Sequence, residues 1–156
     1  MYKGSKKLFI LVPFAVISFA VAASPQNITG SITGGSVAKG ASARGVISIS
    51  IPAGLHVNSN RPSSQYAIAT TVKLSGQGVR VGAVSYPRGT NRKFEFSETA
   101  LNVYEGTVRF PFSITVPSGF KADVVRLRAT VRYQACTNEV CYPPKSKEIT
   151  ITAKVR

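Results

Sequence analysis

Tryptophan is absent from this 156-residue chain, histidine and aspartate each occur once, and cysteine occurs twice. Each shortage removes a class of chemistry. A structural zinc site takes four Cys or His ligands, and Cys136, Cys141 and His56 are the only such residues. No metal or organic cofactor is therefore expected. A hydrolase triad would have to use His56 and Asp123, and no serine sits in a nucleophile-elbow pattern. The acidic residues include no closely spaced pair for glycosidase work, and no glycine-rich phosphate loop opens a helix. Acid is scarce altogether, with 6 Asp plus Glu against 20 Lys plus Arg. Such a surface attracts acidic proteins, polyanions or anionic lipid and speeds their encounter. The cations are dispersed rather than clustered, so no nucleic-acid partner is expected. Ordinary solvation accounts for most of them, and weak contact with an anionic membrane surface stays open.

Long apolar runs are also missing, except at the start. Lys3, Lys6 and Lys7 precede a nearly continuous apolar stretch from Leu8 to Ala22 that ends in Ala20-Val21-Ala22. A basic start, a short apolar core and a small-residue cleavage site describe a secretory signal peptide. The run is shorter than the roughly 20 residues that cross a bilayer. Residues 1–22 are therefore expected to be removed on export, and in a bacterial host the remainder would reach the periplasm. Outside the cytoplasm a cysteine pair can form and keep a disulfide.

Helical periodicity is the third absence. Residues 23–42 are rich in Gly, Ser, Thr and Ala and read as a flexible N-terminal arm, with at most an edge strand at Ile28–Ile32. From there to Arg156 the chain reads as strands: Val46–Ile51, Tyr66–Leu74, Val79–Tyr86, Arg92–Phe96, Thr107–Val116, Val124–Ala135 and Glu148–Val155. Pro111, inside the fifth of these, points to a sheet edge or a bulge. In the sixth, Leu127, Ala129, Val131, Tyr133 and Ala135 share one face while Arg126, Arg128 and Arg132 share the other. That alternation is the mark of a half-buried antiparallel strand. Short strands punctuated by Gly and Pro predict one all-β domain over 43–156, an antiparallel β-sandwich.

Cys136 and Cys141 enclose Thr137-Asn138-Glu139-Val140 between two strands. A four-residue hairpin loop brings its flanking residues close enough for a disulfide. Closing so short a loop stabilises the fold by only about 2 kcal/mol in the chain-entropy model. As a staple the pair is poorly placed. At an exposed hairpin tip it is well placed for attack by another thiolate.

The stretch Val131-Arg132-Tyr133-Gln134-Ala135-Cys136, with Cys141-Tyr142-Pro143-Pro144 after the loop, resembles the active-site region of the DsbD N-terminal domain family of thiol:disulfide interchange proteins. Gly54-Leu55-His56-Val57-Asn58-Ser59-Asn60-Arg61-Pro62 resembles an early strand of the same domain, and the likeness extends over about residues 40–156. The resemblance implies an immunoglobulin-like sandwich with protein-disulfide reductase activity. Its partners would be a thioredoxin-like or membrane electron-transfer protein on one side and oxidised periplasmic proteins on the other. It implies that Cys141 attacks and Cys136 resolves. It places His56 and Asn58 near the pair, where a histidine can lower a thiol pKa. It also implies a cap loop, for which Phe94 or Phe96 is the candidate, although ordinary core packing is the stronger expectation for both. Tyr142 and its two prolines are expected to stiffen the chain leaving the hairpin. One departure is the cysteine spacing, shorter here than in familiar members. The competing reading is a non-enzymatic binding module with a structural disulfide and a basic docking surface.

Overall fold

The computed structural model describes residues 26–156, so the expected signal peptide at 1–22 lies outside the described residues. The strands in chain order are β1 (Asn27–Ile32), β2 (Ser36–Val37), β3 (Ser42–Ser50), β4 (His56–Asn58), β5 (Thr71–Gly76) and β6 (Arg80–Val81), followed by β7 (Thr90–Arg92), β8 (Leu101–Tyr104), β9 (Thr107–Thr115), β10 (Val124–Tyr133), β11 (Ala135–Cys136) and β12 (Lys145–Val155). They form three four-stranded sheets, ordered β1-β3-β9-β6, β2-β12-β10-β5 and β11-β4-β8-β7. All pairings are antiparallel except β12 with β2. The fold is an immunoglobulin-like all-β sandwich.

Period-two alternation builds the core between the first two sheets. Val108, Phe110, Phe112 and Ile114 of β9 are buried, as are Val125, Leu127, Ala129, Val131 and Tyr133 of β10. Ile47 and Ile49 of β3 and Ile151 and Ala153 of β12 complete it. Arg126, Arg128 and Arg132 face solvent, as the pattern predicts. Pro111 pairs with Val46 of β3 on one side. On its other side no strand runs alongside, and Ser85 N–H donates to its carbonyl at 2.8 Å. A residue without an N–H fits there because no ladder partner asks for one.

Several expectations need correction. From Gln26 on, the segment read as a flexible arm is built into both main sheets. The edge strand expected at Ile28–Ile32 is β1, which pairs with β3 over six residues, and Ile28, Ile32 and Val37 lie in the core. Small residues misled here because they permit close approach: a Cβ at Gly30 would lie 2.4 Å from Ile151 Cδ1. The run Tyr66–Leu74 is a strand only from Thr71, because the backbone of Ile68 bonds to Asn58 and Gln134 side chains instead of a neighbouring strand. Val79–Tyr86 shrinks to β6. Arg92–Phe96 is a strand only to Arg92, after which Ser97 N–H turns back to Phe94 O at 3.2 Å. The third sheet rests on β4 and β8, too short to show a period of their own.

Candidate functional site

The third sheet carries the cysteines. β10 and β12 pair as far as Tyr133 and Lys145, and the chain between them leaves the main sheet. Ala135 and Cys136 then pair with Val57 and His56 of β4. On its other side Cys136 bridges to Cys141, to which it is disulfide-bonded. The four-residue loop folds as a tight turn. Thr137 N–H donates to Val140 O at 2.8 Å, and Thr137 Oγ1 accepts from the N–H groups of Glu139 and Val140 at 3.2 and 3.1 Å.

The two sulfurs are not equivalent. Cys136 is 0% exposed, whereas Cys141 is exposed. The expectation of an exposed pair therefore holds for one cysteine only, because β4 covers the other. Cys141 lines a cleft of about 420 Å³ shared with Asn58, Tyr66, Phe96, Glu98, Leu101 and Gln134, among others.

Side-chain amides fix the cleft floor. Asn58 Nδ2 donates to Ile68 O at 3.2 Å and to Gln134 Oε1 at 3.3 Å. Gln134 Oε1 also accepts from Ile68 N–H at 3.3 Å, and its Nε2 donates to Tyr142 O at 3.2 Å. One glutamine thus ties β4, the loop through Ile68 and the segment after Cys141 together. Tyr142 is half-buried against the main core, and its N–H donates to Ala135 O at 2.9 Å. It anchors the hairpin rather than lining the cleft.

The loop from Lys93 to Ala100 lies over this sheet. His56, Phe94 and Phe96 form a nearly parallel stack. The centroids are 3.9 Å apart between His56 and Phe94 and 5.4 Å between the phenylalanines. Phe94 is buried with Leu101 and Val103 in a small second core. Phe96 is 40% exposed at the cleft. The two phenylalanines, read alike from sequence, have separate places.

His56 is 2% exposed. Burial, helped by the Arg92 charge, lowers its pKa from 6.5 to about 4. It is neutral at pH 7, so the expectation that its charge favours a thiolate is corrected. Desolvation disfavours the imidazolium more than any nearby group supports it.

In the sequence Gln134 reads only as part of the motif before Cys136 and Tyr66 only as the start of a strand, and neither is given a place in the site. Gln134 sits on the polar side of the β10 alternation just before Cys136, where a polar residue entering a buried turn was the available signal. Tyr66, 85% exposed, gave none.

A family model described as "Thiol:disulfide interchange protein DsbD, N-terminal" matches residues 31–153. No curated protein matches the chain. Similar solved structures include the N-terminal domain of Neisseria meningitidis DsbD in the reduced form. It is 19% identical with a TM-score of 0.48, over 70% of this chain and 77% of that one. The N-terminal periplasmic domain of ScsB from Proteus mirabilis is 13% identical with a TM-score of 0.48, and the match covers 81% of this chain and 44% of that one. The family match takes in both cysteines, β4 and the loop over them, and the chain belongs to the N-terminal domain family of the thiol:disulfide interchange protein DsbD.

Proposed function

We propose that the chain is an exported redox relay, passing electrons from a thioredoxin-like or membrane electron-transfer protein to oxidised periplasmic clients. The observation that carries this reading is the unequal burial of Cys136 and Cys141. A reduced donor's thiolate can reach only Sγ of Cys141. Attack there forms a donor–Cys141 disulfide and breaks the bond to Cys136, which takes the electron pair. The donor's second thiol then attacks its own mixed-disulfide sulfur and leaves Cys141 reduced. With a client the steps reverse: Cys141 thiolate attacks the client disulfide and expels one client thiolate. Cys136 then attacks Sγ of Cys141 and releases the other. Buried Cys136 is shielded from intermolecular attack, which suits a resolving role.

The reduction potential of the Cys136–Cys141 bond, measured against defined thiol buffers, tests this. A value between roughly −270 and −120 mV belongs with exchange proteins, and Cys136→Ser should then trap partners on Cys141. A value below about −300 mV is typical of structural disulfides and would return the chain to the binding-module reading.

A further inference from the structure

An apolar side chain exposed alone on a protein surface means little. Among the described residues three large ones are exposed, Tyr66 at 85%, Val140 at 53% and Phe96 at 40%, and all three gather at one sulfur. Tyr66 and Phe96 line the cleft of about 420 Å³ that Cys141 also lines, and Val140 precedes Cys141 in the chain. Both cleft rings stand on fixed supports. Tyr66 N–H donates to Ser64 Oγ at 3.2 Å, and two residues further on the Ile68 backbone is held by the Asn58 and Gln134 side chains. Phe96 stacks on Phe94, with centroids 5.4 Å and planes 6° apart, and Phe94 is buried. Rings fixed in this way and left uncovered together mark a contact surface.

The cleft also departs from the charge of the chain around it. Lys and Arg outnumber Asp and Glu by 20 to 6, yet no cation lines the cleft, and its one charged residue is Glu98. Lys93 donates to the backbone carbonyl of Glu98. The ion pairs among the described residues are Arg92–Glu105 and Arg128–Glu148, so the Glu98 carboxylate is in neither.

We infer that this cleft reads the client: it takes an apolar side chain beside the client's reacting cysteine and disfavours an acidic one. The inference rests on the relay reading and deepens it by naming the class of client segment. Disulfide chemistry fixes the occupant. A client sulfur bonded to Sγ of Cys141 holds its own Cα within about 4.4–6.8 Å of the Cys141 Cα, which brings the residues flanking that cysteine to the cleft. An apolar flank then leaves water against the Tyr66 and Phe96 rings. A carboxylate there would lose hydration beside two rings and Glu98, with no cation to receive it.

Two electrostatic influences are thereby opposed. The positive charge of the whole chain draws anions from a distance, while the cleft selects against them at contact. A peptide with acidic residues beside its cysteine meets both, and the direction of its rate change shows which one governs attack.

The test uses the reduced mature protein and peptides of the form acetyl-Gly-X-Cys-X-Gly-amide, with X as Leu, Ser or Asp and the cysteine disulfide-linked to nitrothiobenzoate. The Cys141 thiolate attacks the peptide sulfur, the bond to nitrothiobenzoate breaks, and that coloured thiolate leaves with the electron pair. Cys136 then attacks Sγ of Cys141 and releases the peptide thiolate. Each attack rate is divided by the rate of the same peptide with glutathione, which removes intrinsic reactivity. The Leu peptide should exceed the Ser peptide about tenfold, and the Asp peptide should be the slowest. Tyr66→Ser alters a ring that is 85% exposed, so the fold should survive it; it should lower the Leu-to-Ser ratio several-fold. Glu98→Gln should narrow the gap between Ser and Asp. A Leu-to-Ser ratio near one in the unmodified protein would overturn the inference. So would a ratio that Tyr66→Ser leaves intact, or an Asp peptide that reacts fastest. Attack on these peptides does not depend on the reduction potential, so the two readings fail separately. A potential below about −300 mV with a strong Leu preference sinks the relay alone, and an exchange-range potential with a ratio near one sinks the client-reading cleft alone.

Discussion

His56 ties stability to pH through one proton. Its pKa is near 4 in the folded chain and 6.5 in the reference state, so between those values the unfolded chain binds a proton that the folded chain refuses. Stability is undiminished above pH 6.5 and falls as pH drops toward 4, with a total loss on the order of 3 kcal/mol. Urea melts at pH 7 and pH 4.5 should therefore differ less for His56→Phe than for the unmodified protein, and equal differences would contradict the lowered pKa. Gly45 offers a second residue-level prediction. A Cβ there would lie 2.3 Å from Phe112 Cζ and 2.8 Å from Ile32 Cδ1. Gly45→Ala should cost about 1–3 kcal/mol by overpacking, read as a lower urea midpoint with an unchanged slope. At this scale the cysteine pair was legible from its flanking residues. The charge state of His56 was not, because it depends on burial, with Phe94 stacked on the ring, and on the Arg92 charge, and these residues lie 38 and 36 positions away in the chain.

Among the elements, the loop from Lys93 to Ala100 separates two roles. Phe94→Ala removes a buried ring that packs on His56, Leu101 and Val103, and should lower stability by about 2–4 kcal/mol. Phe96→Ala removes a ring that is 40% exposed beside Cys141. It should cost under about 1 kcal/mol while speeding reduction of the disulfide by glutathione several-fold. Stopped-flow reduction kinetics check this, and an unchanged rate would mean that the ring does not screen Cys141. The long strands β9 and β10 could be read from sequence because one face of each meets the core along its whole length, and β12 could be read only from Glu148, because its first four residues are all exposed. The two- and three-residue strands could not, since they are held by tertiary hydrogen bonds rather than by a pattern of their own. β4, which buries one cysteine and supplies both His56 and Asn58, was legible only through the resemblance of residues 54–62 to an early strand of the family and not from any alternation of its own.

The whole molecule carries a formal charge of +14 over its full sequence. The register places Lys73, Arg126, Arg128, Arg132 and Lys154 on the outer face of the β5-β10-β12 sheet, with Glu148 as its acid, 3.5 Å from Arg128. Reduction by an acidic thioredoxin-like donor should slow about tenfold as salt rises from roughly 0.02 to 0.5 M. Reversing Arg126 and Arg132 to Glu should weaken that salt dependence and leave the reduction potential unchanged. A rate indifferent to salt would show that this charge does not steer the encounter. By itself the sequence determined the all-β class, the solvent-facing arginines and the cysteine pair with its family, since alternation, charge and short-range spacing are local properties. Only the tertiary structure decided that Cys136 is buried while Cys141 is exposed, that the histidine is neutral, and that the glycine-rich start belongs to the core. Each of these depends on burial by residues from other strands, and burial is a property of the packed sheets rather than of any one segment.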